Sequence, residues 1–61
     1  MITICIRKPT KLHGYWRVVG TYSGPDDRYV FVEREFNEGK AAEAYARMLV
    51  ELYRADHFAR D

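Results

Sequence analysis

The sequence predicts an α+β domain in which a three-stranded antiparallel meander carries one C-terminal helix on one face (βββα). Two observations support this fold class. Apolar and polar residues alternate through three short segments of residues 2–36, as they do in half-buried strands. From residue 38 onward the apolar residues recur at helical spacing instead. The chain has 61 residues, which is the size of one small domain, residues 1–61.

The three predicted strands are joined by a loop and a turn. Their sequences are ITICIR, YWRVVGTY and YVFVEREF. Pro9 and Gly14 interrupt the alternation between the first two strands and predict a loop. In SGPDD, Gly24 tolerates a positive φ and Pro25 fixes its own φ, which is typical of a turn. The inner face of the sheet is predicted to consist of Ile2, Ile4, Ile6, Trp16, Val18, Tyr22, Val30, Val32 and Phe36.

The helix is predicted to run from Glu38 to Phe58, with Asn37 as its N-cap. Its apolar stripe would contain Ala41, Tyr45, Met48, Leu49, Leu52 and Ala55. Such a helix would be about 31 Å long, whereas the strands would reach only about 20–27 Å. Tyr53, His57 and Phe58 would therefore overhang the sheet, either as a frayed end or as a dimer contact or second partner contact.

One helix covers only one face of the sheet, so the other face should be open to water or to a partner. Contiguous apolar patches rimmed by charge mark interaction sites, and Tyr, Phe and Arg are residues that anchor interfaces. The predicted partner-binding surface on this face consists of Arg7, Tyr15, Arg17, Tyr29, Phe31 and Glu33.

The aromatic residues on the third strand are also compatible with two arrangements that involve no partner. Cross-strand aromatic and β-branched pairs stabilise a thin sheet by about 0.2–1 kcal/mol each. A bulge near Gly20 would instead shift the strand register and bury Phe31.

Residues with catalytic or metal-binding chemistry are present but scattered. His13, His57, Cys5 and Asp56 lack the spacing of metal ligands. The only serine, Ser23, lies in the predicted turn with no histidine predictably near it, and the four glycines form no phosphate loop. We therefore expect a protein that is not an enzyme and that uses no cofactor or metal.

The net charge of +1 hides an uneven distribution. Residues 1–25 contain four bases and no acid, whereas residues 26–61 hold all nine acids against six bases. A net charge this small predicts no strong attraction of the whole molecule to nucleic acid or to a membrane. The single cysteine, the absence of an export-like N-terminus and the lack of a long apolar run predict a cytoplasmic location without a membrane span.

Three segments, GYWRVV, YVFVEREF and NEGKAAEAYARML, resemble the arm-binding domain of tyrosine-type phage integrases and the plant AP2-type domain. The resemblance covers most of the chain from Gly14 onward. It implies that the open face of the sheet enters the major groove of DNA. The nucleic-acid contacts that it implies are Arg7, Lys8, Lys11, Arg17 and Tyr15.

In size and build the chain is also similar to short phage-encoded regulators, among them inhibitors of host defence such as anti-CRISPR proteins. This similarity implies a stoichiometric regulator or inhibitor that docks a protein partner. Glu33 and Glu35 on the third strand would repel phosphate, so we predict a protein partner. DNA or single-strand binding is the alternative. A second copy could pair through an edge strand or through the helix overhang.

Overall fold

The structure is a computed structural model that describes residues 1–61 and contains four strands and one helix. The strands are β1 (Ile2–Arg7), β2 (Trp16–Ser23), β3 (Arg28–Phe36) and β4 (His57–Arg60), and the helix is α1 (Gly39–Tyr53). The strands form one mixed sheet in the order β3-β2-β1-β4, and α1 lies against one face of it. The predicted α+β class with one helix is confirmed, but the prediction of a three-stranded, wholly antiparallel sheet is wrong.

The core lies between α1 and the two central strands. β1 and β2 pair antiparallel, with Ile4 opposite Gly20 and Ile6 opposite Val18. Ile4 and Val18 are fully buried. On the helix, two alanines and one leucine face them, and the small alanine side chains let the helix lie close to the sheet; these residues are Ala42, Ala46 and Leu49. No helix of the chain has both the length and the apolar character needed to cross a bilayer.

The helix is shorter than predicted because it stops at Tyr53. Arg54 caps it in the left-handed conformation, with φ of 51° and ψ of 55°. The backbone N–H of Arg54 donates to the carbonyl of Val50, and the N–H of Ala55 donates to the same carbonyl at 3.0 Å. These bonds turn the chain back toward the sheet, where the prediction had a continuing helix.

The residues after the helix form β4, which pairs parallel to β1. Asp56 fixes the start of this strand, because its carboxylate accepts from the N–H of Ile2 at 2.7 Å and its own N–H donates to the Ile2 carbonyl at 2.8 Å. Phe58 then lies opposite Ile4 and packs against the core. The strand thereby covers the edge of β1 that a three-stranded sheet would have left unpaired.

The predicted helix overhang is therefore wrong. Tyr53 is the last residue of α1, whereas His57 and Phe58 belong to β4. His57 lies opposite Thr3 on the face away from the helix, and Phe58 lies on the helix side. These three residues consequently do not form one projecting surface.

β2 and β3 pair antiparallel with one bulge. Gly20 lies opposite Val32, but the next pair is Thr21 opposite Val30, so Phe31 is an extra residue in β3. A Cβ atom at Gly20 would lie 2.6 Å from Val32 Cγ1 and 2.9 Å from Phe31 Cζ. The bulge and the close approach of Phe31 therefore both depend on glycine at this position.

The bulge reverses the faces of the first half of β3. The register places Tyr29 opposite Tyr22, on the helix side, and Val30 opposite Thr21, on the open side, where Val30 is 54% exposed. The predicted open-face positions of Tyr29 and Phe31 are wrong, and so is the predicted inner position of Val30. The bulge near Gly20, which the sequence left open as an alternative, is present.

Candidate partner-binding groove

Four aromatic rings and one isoleucine line an open groove on the helix side of the sheet, where α1 ends. The groove has a volume of about 300 Å³. Its lining residues are Ile2, Tyr22, Tyr29, Phe31 and Tyr53. Tyr29 is 54% exposed and Tyr53 is 42% exposed, so the two tyrosines are open to an approaching molecule.

Two ring pairs build the groove. Tyr22 and Tyr29 lie opposite each other on β2 and β3, with ring centroids 5.4 Å apart. Phe31 meets Tyr53 of the helix edge to face at 4.9 Å. Both distances lie in the range of favourable aromatic pairs. The bulge thus brings Tyr29 and Phe31 to the helix side, and the stop at Arg54 leaves Tyr53 as the last helical side chain beside them.

Apolar exposure continues from the groove along α1. Met48 is 48% exposed and Leu52, one turn later, is 65% exposed. Tyr45, one turn before Met48, contacts the Phe36 ring of β3 with a centroid distance of 5.3 Å. This flank of the helix therefore lies toward β3, and the apolar surface follows that edge of the molecule.

The open face of the sheet, where the sequence predicts partner binding, is mainly polar. Arg17 donates to Glu33 across β2 and β3 at 3.2 Å, and Arg7 lies 4.0 Å from Asp61 at the end of β4. Two further predicted nucleic-acid contacts, both lysines, are exposed in the loop of residues 8–15. The predicted cations therefore lie on or beside this face, with both arginines engaged by carboxylates.

Tyr15 is the one predicted aromatic contact that remains on the open face. Its hydroxyl lies 3.2 Å from His13 Nδ1, and the neighbouring Glu35 carboxylate raises the pKa of the Tyr15 phenol. The structure thus gathers Arg7, Tyr15, Arg17 and Glu33 on one face and separates them from Tyr29 and Phe31.

The strongest electrostatic contacts tie β4 to the helix. Arg60 donates to both oxygens of Glu43, at 2.5 and 2.6 Å, and Arg47 donates to the same carboxylate at 2.8 Å. The hydrogen bonds from Arg60, and after them the charges of both guanidinium groups, lower the pKa of Glu43 to about 2.

No group of three or more His, Cys, Asp and Glu side chains is placed to hold a metal ion.

Glu43→Gln should remove a pH-dependent part of the stability. Because the folded pKa of about 2 lies below the ordinary value of 4.5, the ionised carboxylate stabilises the fold fully above about pH 4.5. That contribution is lost as the pH falls toward about 2. The variant should therefore have a lower urea midpoint than wild type at neutral pH, and the two midpoints should converge in acid.

Glu51→Gln is the matched control, because Glu51 lies on α1 and forms no ion pair. Its midpoint should follow that of wild type at every pH. A midpoint difference for Glu43→Gln that stayed constant down to pH 2 would contradict the assignment.

The chain matches no family model, and comparisons with curated proteins and with solved structures find no match. The resemblances to integrase arm-binding domains, to AP2-type domains and to short phage regulators therefore stay predictions. The candidate site depends on the geometry of the groove.

Three lining residues of the groove were not among the predicted partner contacts on the open face: Ile2, Tyr22 and Tyr53. A glycine inside a strand often marks a bulge, and Gly20 is such a glycine. A bulge at this position predicts that Tyr29 and Phe31 lie on the same face as these three residues.

Proposed function

We propose that this chain is a non-enzymatic binding protein that docks a protein partner through the aromatic groove and acts as a stoichiometric regulator or inhibitor. The observation that supports this proposal is the exposure of Tyr29 and Tyr53 beside Phe31 in an open, apolar groove. Rigid aromatic side chains of this kind provide large contact areas at the centres of interfaces. An inhibitor of the anti-defence kind, which the chain resembles in size and build, would act in this way.

The chemistry of the groove favours apolar side chains of a protein. All five lining residues are apolar or aromatic, and only the tyrosine hydroxyls offer polar atoms. Charges of both signs neighbour the lining residues along the chain: Asp26, Asp27 and Arg28 precede Tyr29, and Arg54 and Asp56 follow Tyr53. A mixture of charges suits the orientation of a protein partner, whereas an excess of carboxylates opposes phosphate.

Nucleic-acid binding on the open face is the second candidate function. The observation that favours it is the concentration of bases in residues 7–17 without any acid. The contacts of Arg17 with Glu33 and of Arg7 with Asp61 reduce the charge available for phosphate. We therefore place this function second.

Tyr29→Ala and Tyr53→Ala should each weaken partner binding at least tenfold, because each removes an exposed ring from the groove. Both side chains are well exposed, so the fold should persist. The partner is first captured from nuclease-treated host lysate on immobilised protein and identified by mass spectrometry. Titration of the purified partner against each variant then measures the loss, and far-UV circular dichroism confirms folding.

Tyr15→Ala is the matched control, because it removes a tyrosine from the opposite face of the sheet. It should leave the affinity unchanged. Two outcomes would favour nucleic-acid binding and contradict the groove. One is a partner that is captured from untreated lysate but not from nuclease-treated lysate. The other is an affinity that falls with Tyr15→Ala and Arg17→Ala but not with the groove variants.

A further inference from the structure

We propose that two copies of the chain associate through the free edge of β3 and form one continuous sheet, with four strands from each copy. β3 is an edge strand of nine residues, whereas β4 at the opposite edge has only four. A long unpaired strand presents a row of backbone donors and acceptors that another strand can use. This inference goes beyond the proposed function, because it concerns a different surface and a different partner.

The hydrogen bonds between β1 and β4 show to which neighbouring strand each residue directs its backbone N–H and C=O groups. The N–H groups of Asp56 and Asp61 donate to the carbonyls of Ile2 and Ile6, so the helix-side residues of β1 turn their backbone groups toward β4. Successive residues of a strand direct their N–H and C=O groups to opposite sides, just as their side chains alternate between faces. The backbone groups of the open-side residues of β1 therefore point toward β2.

The same alternation extends to the free edge. The helix-side residues of β2 direct their backbone N–H and C=O groups toward β3, and the helix-side residues of β3 direct theirs toward β2. The hairpin agrees, because the N–H of Gly24 donates to the carbonyl of Asp27. The residues of β3 that offer their N–H and C=O groups to the free edge are therefore Arg28, Val30, Glu33 and Glu35.

The bulge permits only one antiparallel register between two copies. Open-side positions fall at Arg28 and Val30 before the bulge and at Glu33 and Glu35 after it. Open-side residues of one copy lie opposite open-side residues of the other along the whole strand in only one register. In it, Arg28 lies opposite Glu35 of the second copy and Val30 lies opposite Glu33 of the second copy. In that register these four residues also form the hydrogen-bonded pairs, and the two-fold axis passes beside Phe31.

Charge complementarity supports this register. Arg28 and Glu35 are exposed, and neither forms an ion pair within the chain. The two-fold axis would create the Arg28–Glu35 pair twice, with opposite charges directly across from each other. A shift by one residue in either direction would set Arg28 against Phe36 or against Arg34, and the second of these pairs is repulsive.

The exposed apolar flank of α1 also suits this arrangement. The two-fold axis would place both helices on the same side of the sheet, about 19 Å apart if four strand spacings separate them. Met48 and Leu52, on the flank toward β3, would then face the cleft between the helices.

Analytical ultracentrifugation of the full chain tests the proposal. Wild type should sediment as a dimer of twice the 7.2 kDa chain mass. Arg28→Glu and Glu35→Arg should each weaken dimerisation at least tenfold, because each sets like charges opposite one another. The double variant R28E/E35R should restore the wild-type dissociation constant, since it rebuilds the pair with the charges exchanged.

Lys40→Glu is the control, because it reverses an exposed charge that lies on α1 and not on the free edge of β3. It should leave the dimer unchanged. A wild-type chain that stays monomeric at millimolar concentration, or a double variant that is no better than the singles, would overturn the proposal. Tyr53→Ala should leave the dimer intact and Glu35→Arg, on the open face opposite Arg17, should leave partner capture intact, so failure of pairing and failure of the groove are distinguishable.

Discussion

Ile4→Ala should leave the domain with little or no stability at 25 °C. Ile4 is fully buried in the middle of β1, with Gly20 opposite it on β2 and Phe58 opposite it on β4. Replacing a buried isoleucine by alanine lowers the free energy of unfolding by about 2–5 kcal/mol. A domain of 61 residues has a free energy of unfolding of about 3–9 kcal/mol in total, so this one substitution can remove most of it.

A urea titration followed by far-UV circular dichroism measures the effect. Leu12→Ala is the matched control, because Leu12 is 85% exposed in the loop between β1 and β2 and makes the same change of side-chain size. Its urea midpoint should equal that of wild type. Equal midpoints for Ile4→Ala and wild type would show that the core does not lie where the structure places it.

Gly20→Ala should destabilise the fold and alter the groove together. The added Cβ would lie 2.6 Å from Val32 Cγ1, 2.9 Å from Phe31 Cζ and 3.2 Å from Ile4 Cδ1. Overpacking of this kind costs about 1–3 kcal/mol. Because the Phe31 ring has to move away from β2, its edge-to-face contact with Tyr53 should be lost as well. The urea midpoint should fall, and the near-UV circular dichroism of the tyrosines should change.

Gly14→Ala provides the control for this substitution, since no atom lies within 4 Å of a Cβ built at Gly14. It should leave both the urea midpoint and the near-UV spectrum as they are in wild type. If Gly20→Ala were as stable as Gly14→Ala and had the same spectrum, the close approach of Phe31 to β2 would be wrong.

The strands and the helix follow from local patterns, but the end of the chain does not. The alternation around Ile4 and the helical spacing around Leu49 predict β1 and α1. The segment after Tyr53 contains no glycine or proline, so its sequence carries no signal for the left-handed residue Arg54. The pairing of β4 with β1 depends on contacts between opposite ends of the chain, which local propensity does not encode.

The site could be predicted only in part, because one extra residue changes the face of half a strand. Tyr29 and Phe31 are recognisable as contact candidates from their residue types. Their placement depends on Gly20, and glycine alone does not indicate which of the two strands holds the extra residue. Since a shift of one residue moves the side chains on one side of the bulge to the other face, Tyr29 and Phe31 line the groove and not the open face.

The parallel pairing of β4 with β1 has a consequence for how the chain folds. Ile2 and Asp56, which are joined by a hydrogen bond, are 54 residues apart. Closing so long a loop carries a large entropic cost, and contacts between distant residues slow folding. During synthesis, the side of β1 that pairs with β4 therefore stays unpaired until the residues of β4 have been added.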